Sequence, residues 1–136
     1  MKRISDKIRE IARLLEELET ISPASLDEYR SSFEKKAACE RYAERIVEAA
    51  TDLAFLAIKY KKLRMPEDDT DAFNILSEAK IISDDDAVKL KRAKGMRNII
   101  AHEYGIIDDE IVFEAVTEEL REDISAFTSK IGRILR

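Results

Sequence analysis

The histidine His102 is the only one in the chain, five residues after Arg97 and two before Tyr104, in the stretch MRNIIAHEYG. An imidazole trades protons near neutral pH. A guanidinium offers a planar fork to phosphate oxygens. Cleaving RNA without a metal needs a base for the ribose 2′-hydroxyl, an acid for the leaving 5′-oxygen and a cation for the crowded phosphate. Arg97 and His102 are therefore the candidate catalytic pair. A single histidine per chain means that a two-imidazole acid–base pair requires two chains.

On an ideal helix, at ~100° per residue, Leu90, Ala93, Met96, Ile100 and Ala101 share one arc, and Arg97 and Tyr104 fall inside it. An arginine there is costly unless it is paired or the arc lines a groove. His102 lies ~140° round from Arg97, beside Asn98 and Lys91. Two routes bring the pair together. The helix loosens near Gly105, or a two-fold related copy supplies half of the site. Five basic residues crowd Lys89 to Arg97, and Lys94, one turn before Arg97, is a candidate contact for an RNA phosphate. Each residue also has a structural reading: Arg97 paired across a helical bundle, His102 favouring a helix C-terminus, Tyr104 packing on an apolar face, the basic run a solvated surface.

The elements that must hold these residues are helical. Ile4, Ile8, Ile11, Leu15 and Leu18 predict a first helix over about residues 3 to 20. Pro23 breaks it and Ser25 caps a short helix or turn in SLDEYRSS. A long helix over roughly residues 32 to 63 carries Phe33, Ala37, Val47, Ala50, Leu53, Ala54, Ala57 and Tyr60 on its apolar face and ends by Pro66. DAFNILSEA makes a short helix. Ser83 caps the helix that carries the motif, with three aspartates at its positive end. Gly105 is the expected stop. A final helix runs from Asp108 or Asp109 to about residue 134, with Ile111, Val112, Ala115, Val116, Leu120, Ile124, Phe127 and Ile131 inward. The expected fold is all-α, an up-and-down bundle of four main helices plus short extra helices, in one domain over residues 1–136.

Composition narrows the function. Charged residues reach 39% while Gly (3) and Pro (2) are scarce, which suits solvated helices and disfavours an all-β fold. No apolar run is long enough to span a membrane. The charged N-terminus lacks a secretory core. The lone Cys39, read as a small core or surface residue, fits a reducing cytoplasm. The net charge of −5 gives no broad attraction for nucleic acid, which counts against a ribonuclease without excluding one: an RNA contact must be local, with a second chain to add positive potential. One His and one Cys make no zinc site, Asp84, Asp85 and Asp86 read as a helix start, and no cofactor is called for.

Arg97, four residues, His102, one residue and Tyr104 resemble the Arg-x4-His-x-Tyr signature of HepT-like proteins in the HEPN superfamily. Asn98 after the arginine, Gly105 after the tyrosine and the all-helical layout also match. The resemblance implies a toxin endoribonuclease of a two-gene system that acts as a homodimer, with both motifs in one cleft. tRNA is the expected substrate. It further implies an MntA-like nucleotidyltransferase antitoxin that transfers adenylate from ATP to the motif tyrosine, here Tyr104. Two alternatives stay open on the sequence: a non-enzymatic helical partner of a minimal nucleotidyltransferase or of a nucleotide, and a plain dimeric bundle.

Overall fold

The computed structural model describes residues 1–102 and 108–136. The expectations for Tyr104 and Gly105 lie outside the described residues. Seven α-helices are described, with no strand: α1 (Lys2–Ile21), α2 (Leu26–Ser31), α3 (Phe33–Tyr60), α4 (Asp69–Glu78), α5 (Asp84–His102), α6 (Asp109–Glu114) and α7 (Leu120–Arg133). A π-helical turn, Ala115–Glu119, joins α6 to α7 without a break. None of the described helices is long and apolar enough to cross a membrane.

The caps explain the starts. The Ser25 hydroxyl accepts the Glu28 N–H at 3.1 Å and starts α2. Ser32 does the same for α3, and the Asp68 and Asp108 carboxylates do it for α4 and α6. At α5 the bond is reciprocal: the Asp86 N–H donates to the Ser83 hydroxyl at 3.0 Å, and the Ser83 N–H donates to the Asp86 carboxylate at 2.9 Å. The stops of α3 and α4 are less obvious. Lys62 (φ 54°) and Lys80 (φ 60°) take the left-handed conformation that glycine usually supplies. The Leu63 N–H then reaches the Ile58 carbonyl and the Ile81 N–H the Leu76 carbonyl, both at 3.0 Å. The long helix therefore ends at Tyr60, three residues short of the sequence expectation.

Side-chain pairs fix the topology. Lys7 lies 3.6 Å from Asp52, and the Tyr42 hydroxyl donates to Glu17 at 3.0 Å, so α1 and α3 run antiparallel. Arg121 meets Glu19 at 3.4 Å while Gly132 approaches Ile8, so α7 runs antiparallel to α1. Asp86 near the start of α5 pairs with Lys130 near the end of α7. The four main helices α1, α3, α5 and α6–α7 thus alternate up and down, as expected.

One continuous buried cluster joins them. In α1 it takes Ile4, Ile11, Leu14 and Leu18, with Ile8 and Leu15 at its margin. The alanines Ala43, Ala49, Ala50, Ala54 and Ala57 of α3 are buried, which lets neighbouring helices close in. Each fully buried Leu or Ile is worth roughly 1.5–3 kcal/mol. Val112, Val116, Leu120 and Ile124 are buried at steps of four, a spacing that drifts off one face of a regular α-helix. The π-turn takes up that drift with its i→i+5 bonds. Four expected core positions are corrected. Phe33 is 90% exposed, Tyr60 41% and Ile111 57%, and Ala37 is exposed. Phe33 is the first residue and Tyr60 the last of α3, beyond the reach of the packed neighbours, and Ile111 turns out beside the inward Val112.

Candidate active site

Helix α5 carries Arg97, Asn98 and His102, and the reciprocal Ser83–Asp86 cap fixes its start. Leu90 and Ile100 anchor it in the core. The apolar arc between them is interrupted, as the sequence indicated. The Arg97 side chain is 18% exposed, and its Nη2 lies 3.6 Å from Glu48 Oε2 on α3. Its Nη1 donates to Asn98 Oδ1 at 3.5 Å. Its Nε is buried with no hydrogen-bond partner. Both contacts are at the long limit, so this guanidinium is poorly satisfied for its burial. A buried donor left unpaired costs roughly 1–3 kcal/mol.

His102 is exposed and closes the described part of α5. Since α5 is unbroken from Arg97 to His102, their ~140° separation around the helix stands. Within one chain the two side chains leave the helix in different directions.

Lys94 does not sit on an open basic face. It is 7% exposed, and its Nζ lies 3.0 Å from Asp69 Oδ2 on α4. Lys91 donates to Asn74 at 2.8 Å and Lys89 pairs with Asp85 at 3.2 Å. Much of the basic run thus fastens α5 to α4 and to its own first turn. Glu48 is the site residue that sequence reasoning missed. No motif marks it; the one signal is a carboxylate set between Val47 and Ala49, both buried. Cys39 is buried and burial pushes its thiol pKa up, so it is a core residue rather than a nucleophile. Among the described residues no group of three or more His, Cys, Asp or Glu is placed to hold a metal ion.

A protein-family model described as ribonuclease HepT-like matches residues 5–131. A tRNA nuclease HepT of Aphanizomenon flos-aquae is 31% identical over 119 residues, spanning 88% of this chain and 81% of that protein. An mRNA nuclease HepT of Shewanella oneidensis is 26% identical over 128 residues, spanning 94% of this chain and 95% of that protein. Among solved structures, the tri-AMPylated HEPN toxin of Shewanella oneidensis in complex with MNT antitoxin superimposes with a TM-score of 0.89 at 25% identity, covering 96% of each chain. The all-helical fold, the match over nearly all of its length and these relatives agree: the chain belongs to the HepT-like ribonuclease family and is an endoribonuclease.

Proposed function

We propose that this chain is the toxin of a toxin–antitoxin pair and cuts RNA at a site shared by two copies, residues 1–136 forming one domain. The observation that carries the reading is the state of Arg97: a guanidinium in an apolar arc, held by two long contacts, with a buried N–H left over. A buried cation that only holds the fold is ordinarily paired more closely than this. One that serves a transient phosphate keeps capacity in reserve, at some cost in stability.

Arg97, with Asn98 beside it, takes the phosphate oxygens. His102 moves the proton, as base at the 2′-hydroxyl in one copy and as acid at the leaving 5′-oxygen in the other. The product is a 2′,3′-cyclic phosphate, and the chemistry runs without a metal because imidazole and guanidinium supply its three needs. Lys94 already neutralises Asp69 and steadies the helix under Arg97. The ~140° between Arg97 and His102 supports a two-fold arrangement, in which each cleft draws on both chains. tRNA is the proposed substrate, in line with the name of the 31% identical relative. A cytoplasmic setting suits that substrate.

The proposed antitoxin is a nucleotidyltransferase, as in the Shewanella oneidensis complex of an AMPylated HEPN toxin with MNT antitoxin. The proposed acceptor is Tyr104, two residues past His102 in sequence. Adenylate there would bring a phosphate and its negative charge to the sequence neighbourhood of Arg97, competing with RNA. The test is incubation of unmodified protein with tRNA in chelator, alone and after refolding together with an excess of His102→Ala chains. Cyclic-phosphate ends are expected, and activity per wild-type chain should fall in step with the fraction of mixed dimers, which hold one imidazole instead of two. Activity that needs added magnesium, or wild-type chains that keep full activity in mixed dimers, overturns the shared-site mechanism.

A further inference from the structure

A groove of about 840 Å³ opens where the start of α1 meets the last two turns of α3 and the segment after it. Its floor is apolar. Phe55 is 37% exposed and Met65 85%, with Leu56 and Leu63 half-buried between them. Its rim is basic. Of the four cations there, Lys7 is neutralised by Glu10 at 2.7 Å and by Asp52 at 3.6 Å. Arg3, Lys59 and Lys62 have no ion-pair partner among the described residues. Their charge stands out in a chain whose net charge is −5. Along α3, at 1.5 Å per residue, the groove begins at Asp52, about 6 Å from Glu48, and its basic rim at Lys59 lies roughly 16 Å from Glu48, so it runs away from the Arg97 contact.

We propose that this groove docks an acidic amphipathic helix of a partner protein, with apolar side chains on the floor and carboxylates against Arg3, Lys59 and Lys62. The lining decides among occupants. Single-stranded nucleic acid stacks on aromatic planes, and the floor offers one aromatic ring among aliphatic side chains. A second copy joined by a two-fold axis would set like charges against each other. A concave apolar trough with a charged rim is the complement of a helix that buries one stripe and flanks it with opposite charge. Arg3, Lys59 and Lys62 are not among the residues that meet Arg97, so docking on this rim and cleavage at Arg97 are separable by mutation. This reading does not depend on the cleavage mechanism.

The experiment titrates a labelled synthetic helix, leucines on one face and glutamates flanking them, into the full chain while amide shifts are followed. Binding that moves Phe55, Leu63 and Met65 is expected, weakened at least tenfold by Lys59→Glu with Lys62→Glu and unchanged by Arg97→Ala. Both lysines are exposed, so the double variant should fold, and unchanged RNA cleavage would confirm it. The proposal is overturned if the glutamate helix does not bind, or if the same helix with lysines binds as well. It is equally overturned if the double variant binds undiminished, or if oligouridylate or phosphatidylserine vesicles move the same amides more tightly.

Discussion

The two ends of α5 are built on different terms. At its start the Ser83–Asp86 bonds are reciprocal, Asp86 also pairs with Lys130, and Asp84 accepts from the Ser77 hydroxyl. Nearly every polar group there has a close partner. Toward its end Arg97 reaches its two contacts at 3.5 and 3.6 Å and keeps a buried N–H unpaired. The same helix is stabilised at one end and left unsatisfied at the other. The buried Tyr29 hydroxyl in the core is unpaired as well, so what sets Arg97 apart is its charge, which burial penalises far more than a hydroxyl.

The contrast is broken most sharply at Arg97 and His102. Arg97→Ala and His102→Ala should each reduce RNA cleavage by roughly a hundredfold or more, the scale on which lost transition-state contacts act. Arg97→Lys should fail too, because a point charge lacks the fork. The stability of Arg97→Ala should hold within about 0.5 kcal/mol or rise, since the change removes a poorly satisfied buried cation. Chemical denaturation beside a cleavage assay reads both. A loss of 2 kcal/mol or more would move Arg97 to the structural side.

Glu48 sharpens the same point with a smaller effect. Its side chain is 55% exposed, so its hold on Arg97 is worth about 1 kcal/mol at most. That bounds the gain on removing its charge to roughly fivefold. Glu48→Gln should lower KM for RNA two- to fivefold and leave kcat nearly unchanged, because the carboxylate competes with phosphate for Nη2. A fall in kcat with KM unchanged would make Glu48 a residue that orients Arg97 instead.

The other end of α5 is tested by acid. Asp86 is partly buried, which alone would raise its pKa, but the Lys130 ammonium and the Ser83 N–H and hydroxyl together hold it below the ordinary carboxylate value. A depressed folded pKa gives stability that is present above the unfolded value and lost as pH falls through the folded one. Lys130→Met should therefore reduce stability at pH 7 by about 1 kcal/mol. The deficit should shrink below about pH 4, where Asp86 begins to protonate in the unfolded chain. Equal deficits at pH 7 and pH 3 would mean that the loss is packing, not charge.

These cases also show what the sequence made legible. Ser25, Ser83 and Asp108 announced helix starts because a cap is a local bond between near neighbours. Arg97 stood out because an arginine on an apolar arc is a local contradiction. Glu48 carried no sign of its partner, which is 49 positions away and reached only through the packing of α3 on α5. Phe33 misled because hydrophobicity names a preference for burial but not a neighbour to bury against. The stop of α3 was set three residues late because a lysine, not a glycine, holds the left-handed position.

The second lysine in a left-handed position, at the end of α4, gives the smallest effect. Lys80 has φ 60° and allows the Ile81 N–H to close on the Leu76 carbonyl at 3.0 Å, ending α4. A side chain in this conformation crowds its Cβ against the following backbone, at roughly 1–2 kcal/mol. Glycine has no Cβ to crowd, but it also gains freedom in the unfolded chain, which returns about 0.4–1 kcal/mol of the advantage. Lys80 is exposed and has no ion-pair partner among the described residues, so little else is lost. Lys80→Gly should stabilise the protein by about 0.5–1 kcal/mol, the strain relieved less the entropy returned. The same change at Ser125, an exposed interior position of α7, should destabilise by up to about 1 kcal/mol. Opposite signs in paired urea denaturations would show that Lys80 fills a glycine position. Matching losses would mean that the strain at Lys80 is already relieved by its neighbours.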